Sequence, residues 1–288
     1  MKGEANEVHA IKTDRSGEVI VRINREGDGE ARFHKERWAI EQAAKAGVPV
    51  PRVLLVESLQ LEGKAAGISV EERLPGVPLD ELAKHLRDEE LSEILQQAGT
   101  LLSQVHCVKT EGFGQIDNHG RAVHASISGT ISEEYLSERV LLPAVHSASL
   151  DPDVIKRALH ILREFRKNCT PASSHLLHGD FGPKHLLIDG RKITGIIDFE
   201  NASSGDPVQE FANWDFFFEN QYPIESLKKG YSDKSVFNGD FERKLTLWRL
   251  VTGLSNLGYY VAEGNQSGIN YCKKRIPQDV SNFVRTYS

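Results

Sequence analysis

The sequence predicts an α+β fold in two lobes, a small strand-rich lobe followed by a larger, mainly helical one. Three observations carry this reading. Residues 5–25 show the alternating and continuous apolar runs of strands. Beyond residue 90 the longest apolar patterns repeat every three to four residues, as helices do. Between them, Ile68-Ser-Val-Glu-Glu-Arg-Leu-Pro-Gly76 reads as a strand running into a break, which suits a hinge. The expected lobes are therefore residues 1–75 and 76–288. A chain of 288 residues is long enough for one large domain or for two such lobes with a real core.

Composition excludes several classes. Lys+Arg 35 against Asp+Glu 41 gives 35 − 41 = −6. That balance argues against a nucleic-acid partner and is compatible with a cationic small molecule. No run of about 18 apolar residues is present, so no membrane span is expected. The opening Met-Lys-Gly-Glu-Ala-Asn lacks the apolar segment of a signal peptide. Cys107, Cys169 and Cys272 are odd in number and far apart, the pattern of reduced thiols. A cytoplasmic protein is expected, a monomer or weak homodimer.

In chain order, Glu7–Lys12 alternates and Glu18–Asn24 is more continuous, with a turn at Ser16-Gly17. Phe33–Ala46 is a helix with its stripe on Trp38, Ala39, Gln42, Ala43 and Ala46, stopped by Gly47 and Pro49. Val48-Pro-Val-Pro51 must be extended, because each proline restricts the residue before it. Glu90–His106 is the clearest helix, its apolar stripe running from Leu91 through Ile94, Leu95, Ala98, Leu101 and Leu102 to Val105. His106 reads as a structural histidine. Ser132–Val145 and Asp153–Arg166 are further helices. Asp206-Pro207 starts another, with Asp206 as cap and Pro207 at its first position. Phe241–Val261 is apolar on most sides and so buried. Asp215, Glu219 and Glu263 are carboxylates that a cationic substrate could meet, although solvated faces explain them as well.

The chemistry concentrates in residues 178–207. His185–Ile188 and Ile193–Ile197 are apolar runs, and Asp189-Gly190 between them is a hairpin turn. The hairpin brings the segment before its first strand near the end of its second. Asp180, His185 and Asp198 then face one cleft. Two carboxylates and an imidazole suit a divalent cation, and a carboxylate left over could accept a proton.

The spacing of His178-Gly-Asp180, His185, Ile197-Asp-Phe199 and Gly205-Asp-Pro207 resembles the catalytic and metal-binding segment of the aminoglycoside phosphotransferase family. That family lies within the protein-kinase-like superfamily. His185 stands where most members have Asn; histidine there resembles the branch with 2″-aminoglycoside and macrolide phosphotransferases. The resemblance implies a two-lobed protein-kinase-like fold and transfer of the γ-phosphate of ATP or GTP to a small-molecule hydroxyl. It implies Asp180 as catalytic base, and His185 and Asp198 as ligands of Mg²⁺, with Mn²⁺ the alternative because histidine is an unusual Mg²⁺ ligand. Arg22 falls where kinases carry the phosphate-binding lysine. Glu36, with Glu41 as competitor, is the helix glutamate that would pair with it. Backbone groups around Glu71, Glu72 and Leu74 would meet the nucleotide base. The opening lacks a full Gly-rich loop; Gly3 and Asn6 are its only hints.

The acceptor stays open among aminoglycosides, macrolides and metabolic alcohols, and leans to an aminoglycoside-like sugar. Three rivals remain. A metal-dependent hydrolase would use His178, Asp180, His185 and Asp198 as one centre. A nucleotide-binding pseudoenzyme would fit the unusual Arg22. A protein kinase would need an activation segment, and Asp198 to Asp206 leaves no room for a long one.

Overall fold

The computed structural model describes residues 6–14, 17–131, 138–168 and 173–287. Its first lobe is a four-stranded antiparallel sheet, in order β1-β2-β4-β3, with one helix against it. The strands are β1 (Glu7–Thr13), β2 (Gly17–Asn24), β3 (Val53–Leu61) and β4 (Lys64–Glu72), and the helix is α1 (Gly29–Lys45). The buried side of α1 carries Phe33, Glu36, Ala39, Ile40 and Ala43, an i, i+3, i+7 stripe that includes one charge. The helix begins four residues earlier than its apolar stripe suggests. Strand β3 was not foreseen, because its even and odd positions are both largely exposed and its pattern is correspondingly weak.

The second lobe follows the break. Short elements β5 (Val77–Pro78) and α2 (Leu79–Leu82) lead into α3 (Asp88–His106). A hairpin β6 (Phe113–Ile116) and β7 (Ala122–His124) precedes α4 (Ile127–Thr130), α5 (Glu138–Ser147) and α6 (Pro152–Asn168). The expected helix over 132–145 begins outside the described residues. Then come β8 (His175–Leu177), the hairpin β9 (Leu186–Asp189) and β10 (Lys192–Ile196), and β11 (Ser203–Gly205). Helices α7 (Val208–Phe218), α8 (Ile224–Gly230), α9 (Phe241–Ala262) and α10 (Gln266–Tyr287) finish the chain. Helix α10 was also not foreseen: Pro277 interrupts its sequence signal, yet the structure carries the helix through it.

The core is continuous. Ile94, Leu95, Ala98 and Leu102 of α3 are fully buried with Phe211, Trp214 and Phe216 of α7 and Leu254 and Leu257 of α9. Each Leu, Ile or Phe among these contributes about 1.5–3 kcal/mol on burial. Helices α3 and α8 approach backbone to backbone. A Cβ at Gly99 would stand 2.0 Å from the Leu227 carbonyl oxygen, so only glycine fits.

Two contacts fix the β9–β10 hairpin between the lobes. Strand β5 pairs with β9, Val77 opposite Ile188. The Ile196 amide donates to the Pro49 carbonyl at 2.8 Å, inside the extended Val48–Pro51 segment. The segments leaving α1 and β4 thus both end on the hairpin that carries the site. No helix of the described residues is long and apolar enough to cross a membrane. Cys107 and Cys272 are free thiols. Cys169 and Gly3 lie outside the described residues.

Candidate active site

The loop between β8 and β9 is shaped by buried side chains that hydrogen-bond its backbone. Gly179 has φ +84°, and a Cβ there would stand 1.9 Å from the Asn201 carbonyl oxygen. Buried Glu210, on α7, accepts the His178 amide at 2.8 Å and the Gly179 amide at 3.0 Å. Burial disfavours its charge, but His106 at 3.9 Å, His178 and the amides hold it below the usual carboxylate range. His178 Nε2 donates to the Ile197 carbonyl at 3.0 Å, and its Nδ1 accepts the Asp180 amide at 3.3 Å. Both nitrogens are spent on backbone groups, so His178 is a neutral spacer with burial lowering its pKa.

A short 3-10 turn, Pro183–His185, then divides two neighbouring side chains. Lys184 Nζ lies 3.1 Å from Asp180 Oδ2. His185 Nδ1 donates to the Asp180 carbonyl at 2.7 Å, and its Nε2 lies 3.3 Å from Asp198 Oδ2. Burial opposes the charge on His185, but Asp198 and Asp180 outweigh it and raise its pKa. Burial likewise opposes the charge on Asp198; His185 and Arg22 override it and hold the carboxylate well below its usual range. Asp198 adopts φ +70°. Such a conformation costs about 1–3 kcal/mol, least for Asp and Asn, and it aims the carboxylate into the cleft. Asp180, His185 and Asp198 are therefore brought together as the hairpin implied.

From the first lobe, Arg22 of β2 reaches the same point. Its Nη1 donates to Glu36 Oε1 at 2.5 Å and to Glu71 Oε1 at 3.4 Å. Its Nη2 donates to Asp198 Oδ1 at 3.1 Å and to Glu200 Oε2 at 3.3 Å. The Glu36 partner forms; Glu41 instead pairs with Arg37 at 2.8 Å on the surface. One guanidinium thus answers four carboxylates. Burial is the main force on Glu36, pushing it up to about 8 with the neighbouring carboxylates adding and Arg22 opposing. Glu200 is braced by Asn6 Nδ2 at 2.8 Å, and Asn6 by Asn24 at 2.9 Å.

The family model described as APH, phosphotransferase enzyme family, matches residues 2–226. The chain belongs to this family. A curated relative, hygromycin-B 4-O-kinase of Escherichia coli, is 26% identical over 270 residues, covering 91% of this chain and 74% of the relative. Among solved structures, a thermostable mutant of aminoglycoside phosphotransferase APH(4)-Ia, in ternary complex with AMP-PNP and hygromycin B, is similar at TM-score 0.78. It is 24% identical and covers 98% of this chain and 92% of that one. A mutant of aminoglycoside 2′-phosphotransferase-IIIa in complex with GDP is similar at TM-score 0.64, with 19% identity, covering 100% of this chain and 92% of that one. These likenesses show a two-lobed kinase-like fold, and the protein is a small-molecule phosphotransferase.

At the exit of β4 the phosphotransferase has less free backbone than its sequence implied. Glu71 sits in mid-sheet, paired with Ile20 and Val53, and its carboxylate accepts from Ser69 at 3.0 Å as well as from Arg22. The Glu72 amide donates to the Arg52 carbonyl at 3.0 Å, and its side chain takes Arg52 at 2.6 Å. These groups are already engaged by the sheet. Leu74, two residues beyond the strand, packs over Gly195 of the hairpin.

Two other expectations are corrected. Asp215 and Glu219 do not present free charge to a cationic ligand. Arg249 Nη1 bonds Asp215 and, at 2.9 Å, Glu219. Arg275 Nη1 bonds Glu219, and Asp279 takes Arg249 through Nε at 3.1 Å and Nη2 at 2.9 Å. The sequence hid this because the partners come from α7, α9 and α10. The hydrolase centre is disfavoured too: His178 has no lone pair left for a metal. Sequence reasoning missed Lys184, Glu200 and Glu210. Glu210 had a signal, a lone charge set among Val208, Phe211 and Ala212 of a buried helix.

Proposed function

We propose that this phosphotransferase transfers the γ-phosphoryl group of ATP or GTP to a hydroxyl of a cationic, aminoglycoside-like small molecule. The observation that carries the reading is the pairing of Asp180, about one third exposed, with Asp198 through the single ring of His185. One carboxylate is open to an acceptor, and the other is held ionised beside the basic Arg22. Transfer passes through a loose transition state, so positioning and charge neutralisation supply most of the catalysis. Asp180 orients the acceptor hydroxyl and takes its proton. Arg22, held by Glu36, meets the phosphates. Leu74 and its backbone stand where the base would rest. The lobe boundary falls at residues 75–76.

Mg²⁺ fits Asp198 and Glu200, which offer hard oxygen ligands on one side of the cleft. The described residues contain no group of three or more His, Cys, Asp or Glu side chains that could hold a metal. A cation arriving with the nucleotide, and completed by phosphate oxygens and water, matches that donor set. His185 Nε2 offers a nitrogen that Mn²⁺ accepts more readily than Mg²⁺ does. When bound, the cation would neutralise charge on the phosphates. Support for an aminoglycoside acceptor comes from the relative named hygromycin-B 4-O-kinase and from the neighbour solved with hygromycin B. Support for both nucleotides comes from neighbours solved with AMP-PNP and with GDP.

The test is release of nucleoside diphosphate by the pure protein with Mg²⁺. ATP and GTP are compared against hygromycin B, other aminoglycosides, macrolides and metabolic alcohols. Acceptor-dependent release is expected. In Asp180→Asn, kcat should fall by about 10²–10⁴-fold with nucleotide affinity retained. An Asp180→Asn protein with full turnover sinks the assignment. Nucleotide binding without release for any acceptor makes the protein a pseudoenzyme.

A further inference from the structure

We infer that Lys184 is a further catalytic residue, a cation that contacts the phosphoryl group during its transfer. The inference rests on the function proposed above and deepens it. Four observations carry it.

The first is placement. The turn Pro183–His185 is closed by the His185 amide donating to the Gly182 carbonyl at 2.9 Å, and proline fixes its first position. Consecutive residues then diverge. Lys184 goes to the Asp180 carboxylate at 3.1 Å, and His185 goes to Asp198 at 3.3 Å. A group passing from the Asp198 side to the Asp180 side crosses the gap between them, and Lys184 stands at the receiving end.

The second is energetic. The Lys184 side chain is 55% exposed and that of Asp180 36%. An ion pair this exposed contributes about 0–1 kcal/mol. Folding gains little from this pair.

The third is charge. Asp180, Asp198, Glu200, Glu36 and Glu71 surround the cleft, and Arg22 already answers four of them. The transferring group adds further negative charge. A lysine on the acceptor side offsets part of it where Arg22, anchored on β2 and Glu36, is committed.

The fourth is reach. Lysine is a compact point charge on a flexible stem, able to follow a group that moves by a few ångströms.

In the step itself, the acceptor oxygen bonds to the γ-phosphorus as the bond from that phosphorus to the β,γ-bridging oxygen breaks. The nucleoside diphosphate leaves with the electron pair, and the hydroxyl proton passes to Asp180. Lys184 keeps its protons and hydrogen-bonds the equatorial oxygens, a contact stronger in the transition state than before it.

The test compares Lys184→Ala and Lys184→Arg with wild type, using nucleoside diphosphate release and the best acceptor from the panel. Lys184→Ala should lower kcat by about 10²–10³-fold, the usual cost of losing one such donor. The KM for nucleotide should move less than about threefold, and Lys184→Arg should recover part of the rate. A second measurement separates contact with the phosphoryl group from mere positioning of Asp180. Binding of Mg·ADP with aluminium fluoride, a mimic of the transferring group, is measured in the Asp180→Asn background with and without Lys184→Ala. Weaker binding in the double variant supports direct contact. Equal binding overturns it and leaves Lys184 acting only through Asp180. Unchanged kcat in Lys184→Ala also overturns the inference while leaving the phosphotransferase assignment standing. A wild-type protein without acceptor-dependent release overturns both.

Discussion

Two buried arginines organise this protein, and they do so differently. Arg22 joins β2 to α1, β4 and the segment after β10, and faces Glu36, Glu71, Asp198 and Glu200. Arg249 joins α9 to α7 and α10, and faces Asp215, Glu219 and Asp279, with Arg275 sharing Glu219. The second cluster sets two cations against three carboxylates. The first sets one guanidinium, with His185 beside Asp198, against four carboxylates; burial pushes one of these, Glu36, up to about 8, and two others are about one third exposed. A near-balanced cluster has little reason to bind more charge. A cluster with two carboxylates open to a cleft can exchange partners with an arriving cation, which makes it the candidate site of the two.

The sharpest break of this comparison is Asp198→Asn. Asparagine keeps the shape and tolerates the left-handed backbone. Turnover should fall by about 10²–10³-fold. Tm should fall modestly as well, because the folded state holds Asp198 ionised against His185 and Arg22. An unchanged kcat would mean that the Arg22 cluster is structural, like the other. Next comes Arg249→Met. It leaves Asp279 and Asp215 buried without their cation, which costs about 3–5 kcal/mol. Chemical denaturation should show this loss, while kcat well below Tm stays near wild type. Loss of kcat at full stability would place the Arg249 cluster in the acceptor site.

The smallest effect is a pH response of the same cluster. A hydrogen bond from Arg275 is the chief cause holding Glu219 down to about 2, against 4.5 for a free glutamate. The folded pKa lies below the unfolded one. Its stabilisation is therefore complete above pH 4.5 and lost as pH falls from there toward 2. Tm followed across that window should drop less steeply in Arg275→Ala than in wild type. An identical profile in the two proteins would remove Arg275 as the cause.

Much of the site was legible because its signal is local. The Asp189-Gly190 turn sets the hairpin, and a hairpin fixes which residues meet across it. Asp180, His185 and Asp198 followed from that alone. The pairing of Arg22 with Glu36 was suggested by the resemblance, which left Glu41 open as a competitor. Glu36 and Glu41 lie on different faces of α1, and only the packing of α1 on the sheet turns Glu36 inward. Strand β3 and helix α10 escaped for opposite reasons. The strand lacks alternation, and the helix contains a proline that its packing against α9 overrides.

By itself the sequence determined the hairpin and the core helices, because each depends on spacings of a few residues, and its motif spacing pointed to the family. Tertiary structure alone decided which charges are free. Asp215 and Glu219 looked available until α9 and α10 brought arginines to them. Electrostatic partnership acts through space between residues up to 178 positions apart, as in the bond from Arg22 to Glu200. No local pattern encodes such a distance.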